Sequence, residues 1–420
     1  MQQWLDQQLK ALNLVDSMNQ KDGFTRLGYS DEELKSMAVF REIAESLGLT
    51  VRGDEAGNLI ARWDPQDEHL SKPAIVLGSH VDTVTQGGGY DGVAGVLCAL
   101  GAMKALKDEK FEPDHPIEVI CFASEESARF GISTIGSKAI SGLLEPNNLA
   151  DVQDENGVTI KEAVEQTGLS WSTIEQAERK KDEIKSFVEL HIEQGTVIEN
   201  AGAQFGAVSA VACPIRLKVT VRGKMSHTGT TPMGMRQDAL VAAAPLISYI
   251  SEQGEKLSND SEHAIVATVS TISAKPNAMN VIPGTVELGI DIRSVDDGLK
   301  EQMAAMIKEK CQEIEEQHTV SIDIETLVNN PSVKLDAELM ETLCELGEAE
   351  GYRGHIMISG AGHDVMNMAK KWPSGLFFIP CQDGLSHHPE EHATLEDLHM
   401  GVKLLMAYIK CQALVEKSLE

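Results

Sequence analysis

Apolar positions recur at helical spacing through 34–47, at Leu34, Met37, Ala38, Ile43, Ala44 and Leu47, directly after Ser30-Asp31-Glu32-Glu33. That tetrapeptide matches a capping box, with Gly48 as the stop, so it predicts a capped amphipathic helix. Residues 1–18 read as another helix. The runs 58–63, 74–77, 116–122 and 187–191 are short and apolar and read as strands. A strongly apolar helix over 92–106 separates the second from the third, and 65–73 is a Pro- and charge-rich loop. Residues 151–186 are polar and helical in texture. Strands alternating with helices predict an α/β sheet with covered faces.

Beyond Gly206 the texture changes. Residues 214–222 alternate as a strand, 236–252 read as a helix, and 263–273 and 284–294 as strands. A helix over 297–316 and a strand over 319–325 follow. The order β-α-β-β-α-β is the ferredoxin-like pattern and is self-contained, which predicts an inserted α+β domain at 208–327. After Asn330-Pro331 the α/β texture resumes, with a helix at 335–350, strands at 355–358 and 376–379, and a C-terminal helix. The first domain is therefore expected to be discontinuous, 1–207 and 328–420. A chain of 420 residues is long enough for two such cores.

Composition narrows the function. The formal net charge of −29 argues against a nucleic-acid partner, because phosphate backbones require Lys and Arg. The 7 cysteines are scattered without a CxxC pair, which fits reduced thiols and leaves no thiolate zinc knuckle. The stretch MQQWLDQQLKALNL lacks the features of a signal peptide, and no run approaches a membrane span. The expectation is a cytoplasmic protein with no membrane partner.

The candidate chemistry starts at residues 78–92, GSHVDTVTQGGGYDG. His80 and Asp82, at i and i+2 of an extended segment, point the same way, and Asp91 follows across a glycine loop. Other strand ends finish at Glu125-Glu126, His191 and His387. In an open α/β sheet such ends converge on one site. Three histidines with carboxylates and no cysteine suit Zn²⁺, and also Mn²⁺, Co²⁺ or Ni²⁺. With Asp91 as a bridging carboxylate, two ions about 3.5–4 Å apart could share a water. Neighbouring side chains diverge, so one of Glu125 and Glu126 can bind metal while the other stays free as a base. Asp82 is placed to orient His80.

These segments, together with EESARFGISTIGSKA, ELHIEQG, SHTGTTPMGMRQDA, NVIPG, DIRS, SGAGHD and GLSHHPEE, resemble the N-carbamoyl-L-amino acid hydrolase and allantoate amidohydrolase family, within the di-zinc exopeptidases and aminoacylases. The matches run from about 23 to 397. The resemblance implies a di-zinc exopeptidase-like catalytic domain with an inserted lid and dimerisation domain, holding two divalent ions per subunit. His80, Glu126, His191 and His387 would be terminal ligands and Asp91 the bridge. Glu125 would be the general base and Asp82 the support of His80. Gln194, His227, Asn280 and Arg293 would contact substrate. Arg293 would read a carboxylate with two charge-assisted bonds, and His227 would stabilise the oxyanion from the partner subunit of a homodimer. The implied substrate is a small N-carbamoyl or ureido carboxylate, cleaved at a linear amide to an amino acid, CO₂ and ammonia. Allantoate, ureidopropionate, dipeptide and N-acyl-amino acid substrates are the alternatives. SHHPEE carries two histidines where the family usually has one, so His388 competes with His387.

Plainer readings compete. A single histidine is more often a surface or satisfied core group, and His69, His115, His263, His318, His355 and His399 are read so. His363-Asp364 is left between a structural role and a support to the site. Residues 87–92 formally satisfy the dinucleotide fingerprint GxGxxG. Asp91 would then put a carboxylate where pyrophosphate belongs, and His80 and Asp82 would have no role. A metal-free binding protein with this fold would be expected to have lost Glu125 or a ligand, and none is missing.

Overall fold

Each of the short apolar runs becomes a strand, and the computed structural model describes residues 1–66 and 69–414. Positions 67–68 of the expected loop and 415–420 of the expected C-terminal domain segment lie outside the described residues. In chain order the first strands are β1 (Thr50–Gly53), β2 (Leu59–Trp63), β3 (Ala74–His80), β4 (Ile117–Phe122), β5 (Ile184–Ile192) and β6 (Phe205–Val211). Then come β7 (Cys213–Arg222), β8 (Ser226–His227), β9 (Ile265–Lys275), β10 (Val281–Ile282), β11 (Thr285–Ser294) and β12 (Ser321–Asn329). The last are β13 (Val333–Lys334), β14 (Gly354–Ser359) and β15 (Ser374–Ile379).

Two compact units emerge. One comprises Met1–Ser209, Lys334–Met357 and the chain from His363 on; the other comprises Ala210–Val333 and Ile358–Gly362. Among the described residues of the first unit a nine-stranded mixed sheet runs β1-β2-β4-β3-β5-β15-β6-β13, with β14 beside β6. The four central strands β4, β3, β5 and β15 are mutually parallel. Pairing sets His80 opposite Phe122 and His191 opposite Phe378, so the carboxyl ends that carry the candidate ligands lie level. Parallel strands buried on both faces are continuous apolar runs, which is why β3 and β4 are buried along their whole length. The helix Val93–Asp108 is buried from Val93 to Met103 and packs on β3 and β5, with the helices Gln2–Leu12 and Leu395–Leu414 beyond it.

Several boundaries differ from the sequence expectation for physical reasons. The helix Asp31–Ser46 is capped by Ser30, whose hydroxyl accepts the Glu33 N–H at 3.2 Å, but the box is one-sided. The Glu33 carboxylate turns inward instead and accepts the N–H groups of Tyr29 and Ser124. Residues 151–186 hold only a short helix, Ile160–Gln166, boxed by Thr159 and Glu162, then 3₁₀ turns before β5 starts at Ile184. Helical turns thus cover only part of the stretch expected to be helical, at 160–166, 171–177 and 181–183, and its last residues belong to β5. Strand β6 was not expected, because its small residues read as a change of texture; it pairs antiparallel with β15.

In the second unit the sheet runs β12-β7-β11-β9 with antiparallel neighbours. Ile215, Leu217, Val219 and Val221 on β7 and Val286, Leu288, Ile290 and Ile292 on β11 face the core, the period-2 pattern of a half-buried sheet. The helices Ala239–Asp260 and Asp297–His318 bury Leu246, Ile250, Ile307 and Ile314 in the same core. The first of them starts at Ala239 rather than 236, because the Asp238 carboxylate caps it through the Leu240 and Val241 N–H groups.

Asn58, fully buried, ties the start of β2 to the end of β4. Its amide donates to Asp54 Oδ2 at 2.8 Å and the Gly136 carbonyl at 3.2 Å, and its oxygen accepts the Ala123 N–H at 2.9 Å. Asn58→Ala strands three buried polar groups, each worth about 1–3 kcal/mol. A loss of about 3 kcal/mol in urea unfolding is expected; one below about 0.5 kcal/mol, the scale of a neutral surface change, would contradict the role.

Candidate metal centre

Strand β3 delivers His80 at its last residue, and the loop that follows brings Asp91 back to it before the helix Val93–Asp108 begins. Gly92 permits this return. Its φ is +66°, and a Cβ there would lie 2.5 Å from the His80 ring. From β5 comes His191. The Nδ1 atoms of His80 and His191 are committed to the carbonyls of Asp82 (3.1 Å) and Ile192 (2.9 Å), which turns Nε2 of both rings toward Asp91.

Asp91 divides its carboxylate. Oδ1 lies 3.0 Å from His191 Nε2 and 3.4 Å from His80 Nε2, while Oδ2 lies 3.5 Å from His387 Nε2. His387 Nε2 is also 3.1 Å from Glu126 Oε1. Two groups result, His80–Asp91–His191 and Asp91–Glu126–His387, and within each the donor atoms lie within 4.8 Å of one another. Imidazole nitrogens and carboxylate oxygens without a thiolate fit Zn²⁺ or a similar divalent ion. Burial alone would raise the Asp91 carboxyl, but His191, His387 and His80 hold it well below the usual range. Asp91 and Glu126 in turn lift His387 to about 10. The negative field that holds protons on these rings favours any cation in their place.

Glu125 belongs to neither group. Its Oε2 is 3.8 Å from His80 Nε2. Burial pushes its carboxyl well above the ordinary range; His80 opposes this, and Glu126, Asp364 and Asp82 add to it. Asp82 does more than face His80 Nδ1 at 3.2 Å. Its two oxygens accept the N–H groups of Glu125 (3.1 Å) and Glu126 (2.9 Å), so one fully buried carboxylate sets both glutamates. Ser124, just before them, holds a left-handed φ of 51° and is fastened by Glu33, whose own carboxyl burial lifts to about 8.

The remaining sequence candidates fall in different places. The Gln194 amide donates to Asp91 Oδ2 at 2.9 Å and to Ser386 Oγ at 3.0 Å, and Ser386 donates to the same Asp91 oxygen. Gln194 Oε1 is buried with no hydrogen-bond partner. His388 stands apart, its Nδ1 accepting the Glu390 N–H, so of the two adjacent histidines it is His387 that joins the carboxylates. His227, Asn280 and Arg293 belong to the second unit. His227 Nδ1 accepts the Gly229 N–H at 3.0 Å, and the Asn280 carbonyl accepts the Thr228 N–H. Arg293 is held by Asp291 through Nε at 2.8 Å and by the Gly360 carbonyl, and Asp291 is shared with Arg216. The His363 ring packs edge-on against His191 at 4.5 Å, and Asp364 accepts from Ser137 at 2.5 Å.

Sequence reasoning assigned no role to Glu391 or Ser386, and it read the inward-turned Glu33 only as part of a capping box. Glu391 and Ser386 lie inside the quoted motif GLSHHPEE, which is the one signal that marked them.

The chain matches the family model "Peptidase family M20/M25/M40" over residues 76–410. It is 34% identical over 388 residues to an N-carbamoyl-L-amino-acid amidohydrolase of Paenarthrobacter aurescens, covering 92% of this chain and 93% of that one. It is 35% identical over 383 residues to the allantoate amidohydrolase of Escherichia coli, covering 91% of each. Among solved structures, an amidase of the hydantoinase/carbamoylase family from Burkholderia multivorans superposes with a TM-score of 0.86 at 28% identity, covering 98% of both chains.

Gly92→Ala tests the geometry. A methyl group in the space of the His80 ring must displace it from Asp91. Affinity for added Zn²⁺ is expected to fall at least tenfold, the scale of a misplaced ligand, with the far-UV spectrum unchanged. Calorimetric titration at wild-type affinity would contradict this placement of His80.

Proposed function

The chain belongs to the peptidase family M20/M25/M40, and from that premise we propose that this amidohydrolase cleaves an N-carbamoyl-L-amino acid to the amino acid, CO₂ and ammonia. The observation that carries the reading is the division of the Asp91 carboxylate between two donor groups, the arrangement that a shared pair of cations requires. His80 and His191 would hold one ion, Glu126 and His387 the other, with Asp91 between them. Bound divalent cations supply Lewis-acid polarisation of the scissile carbonyl and a lowered pKa for the attacking water.

The chain's own groups do the rest. Glu125, free of both donor groups and with a raised proton affinity, takes the water's proton and returns it to the leaving nitrogen. His227, its Nδ1 occupied as the acceptor of the Gly229 N–H, offers an Nε2 N–H to the oxyanion. In this reading His227 acts from the second subunit of a homodimer. Gln194, with one oxygen unpaired beside Asp91, accepts a substrate N–H, and Asn280 contacts the same substrate. Arg293 receives the substrate carboxylate through the N–H donors that Asp291 and Gly360 leave over. Allantoate is the second reading, supported by the relative from Escherichia coli.

One assay separates these. Ammonia release is measured with N-carbamoyl amino acids, ureidopropionate and allantoate in the presence of Zn²⁺, Mn²⁺ or Co²⁺. The fastest turnover is expected on an N-carbamoyl-L-amino acid. Glu125→Gln should lower kcat by about 10³-fold, within the usual range for a positioned base, without loss of bound metal. Faster allantoate hydrolysis would replace the substrate, and near-wild-type turnover of the variant would remove Glu125 as the base.

A further inference from the structure

The loop that carries Asp91 and the loop that carries His387 come from opposite parts of the chain, and one side chain holds both. Glu391 Oε1 accepts the N–H of Tyr90 and the N–H of Asp91, each at 2.8 Å, across 300 positions of sequence in the second case. Its Oε2 accepts the N–H of His387 at 3.3 Å. The carboxylate is buried, with 4% of the residue exposed. Gly88 leaves room for it, since a Cβ there would fall 2.2 Å from that carboxylate. The Tyr90 hydroxyl meets His392 Nδ1 at 3.0 Å, a second tie between the same loops. His387 itself sits at φ 56°, a left-handed conformation that a non-glycine residue keeps only when its surroundings impose it.

We propose that Glu391 is a positioning residue that couples the two loops and so controls occupancy of the group Asp91–Glu126–His387. The inference rests on reading the two donor groups as cation sites. It follows from where each ligand is anchored. Asp91 has further holds in Gln194, Ser386 and the two imidazoles of the other group. The His387 ring is half-exposed, and its backbone N–H meets Glu391. Removing the carboxylate therefore loosens the second group more than the first.

The test is Zn²⁺ and Mn²⁺ titration by calorimetry, with bound metal counted after dialysis, on the full chain, Glu391→Ala, Glu391→Gln and the exposed neighbour Glu390→Ala. Wild type and Glu390→Ala are expected to hold two ions. Glu391→Ala is expected to keep one near wild-type affinity and bind the other at least tenfold more weakly, the scale for a residue that supports a ligand. Glu391→Gln keeps an oxygen for Tyr90 and Asp91 but not for His387, so it should fall between. A merely structural role would lower the unfolding temperature and leave the stoichiometry at two, which overturns the proposal. If Glu391→Ala does not fold, Glu391→Gln decides: two ions at wild-type affinity also overturn it. A wild-type protein that binds fewer than two ions overturns the cation reading itself, and this inference with it.

Discussion

The structure depends on one buried carboxylate that answers to two sets of partners. Asp91 presents one oxygen to His80 and His191 and the other to His387, while Gln194 and Ser386 donate to the second oxygen. That demand sets the loop before it and the helix behind it. The chain must leave β3 at His80 and return within bonding distance of the same ring, which Gly92 allows. The parallel order of β4, β3, β5 and β15 then brings the other candidate ligands to the same edge of the sheet.

Around Asp91 lies an acidic interior that would be costly without its partners. Glu33, Asp82, Glu125, Glu126, Glu189, Asp364 and Glu391 are all buried in the first unit. Isolated buried carboxylates are strongly unfavourable. Most of these accept backbone N–H groups: Glu33 from Ser124, Asp82 from Glu125 and Glu126, Glu189 from Val365, and Glu391 from Asp91. The bonds to Ser124, Glu125, Glu126 and Asp91 fix segments that carry a candidate ligand or base. Arg26, buried and bonded to the Val81 carbonyl, adds positive charge beside Asp82 and Glu33. Charge burial of this kind trades stability for a held geometry, the usual mark of a working site.

Much of this was legible in the sequence, because histidines and a glutamate pair at or after the ends of apolar strands leave a pattern. His80, Asp91, Glu126, His191 and His387 come together as two donor groups, and Glu125 stays outside them. The supporting carboxylates were not legible. Glu33 reads as half of a capping box, and its real partners, Tyr29 and Ser124, are fixed by tertiary packing. Glu391 is one glutamate in an acidic pair, and nothing local says that its acceptors serve a loop 300 positions away. The restraint on Arg293 was equally hidden, since Asp291 lies two positions away on the same face of a strand and reads as an ordinary alternating charge.

The sharing of Asp91 between the two donor groups has a direct spectroscopic measure. Electron paramagnetic resonance of the protein loaded with two equivalents of Mn²⁺ is expected to show an exchange-coupled pair, which Asp91→Ala abolishes. Two uncoupled Mn²⁺ signals, or coupling that survives Asp91→Ala, would contradict it.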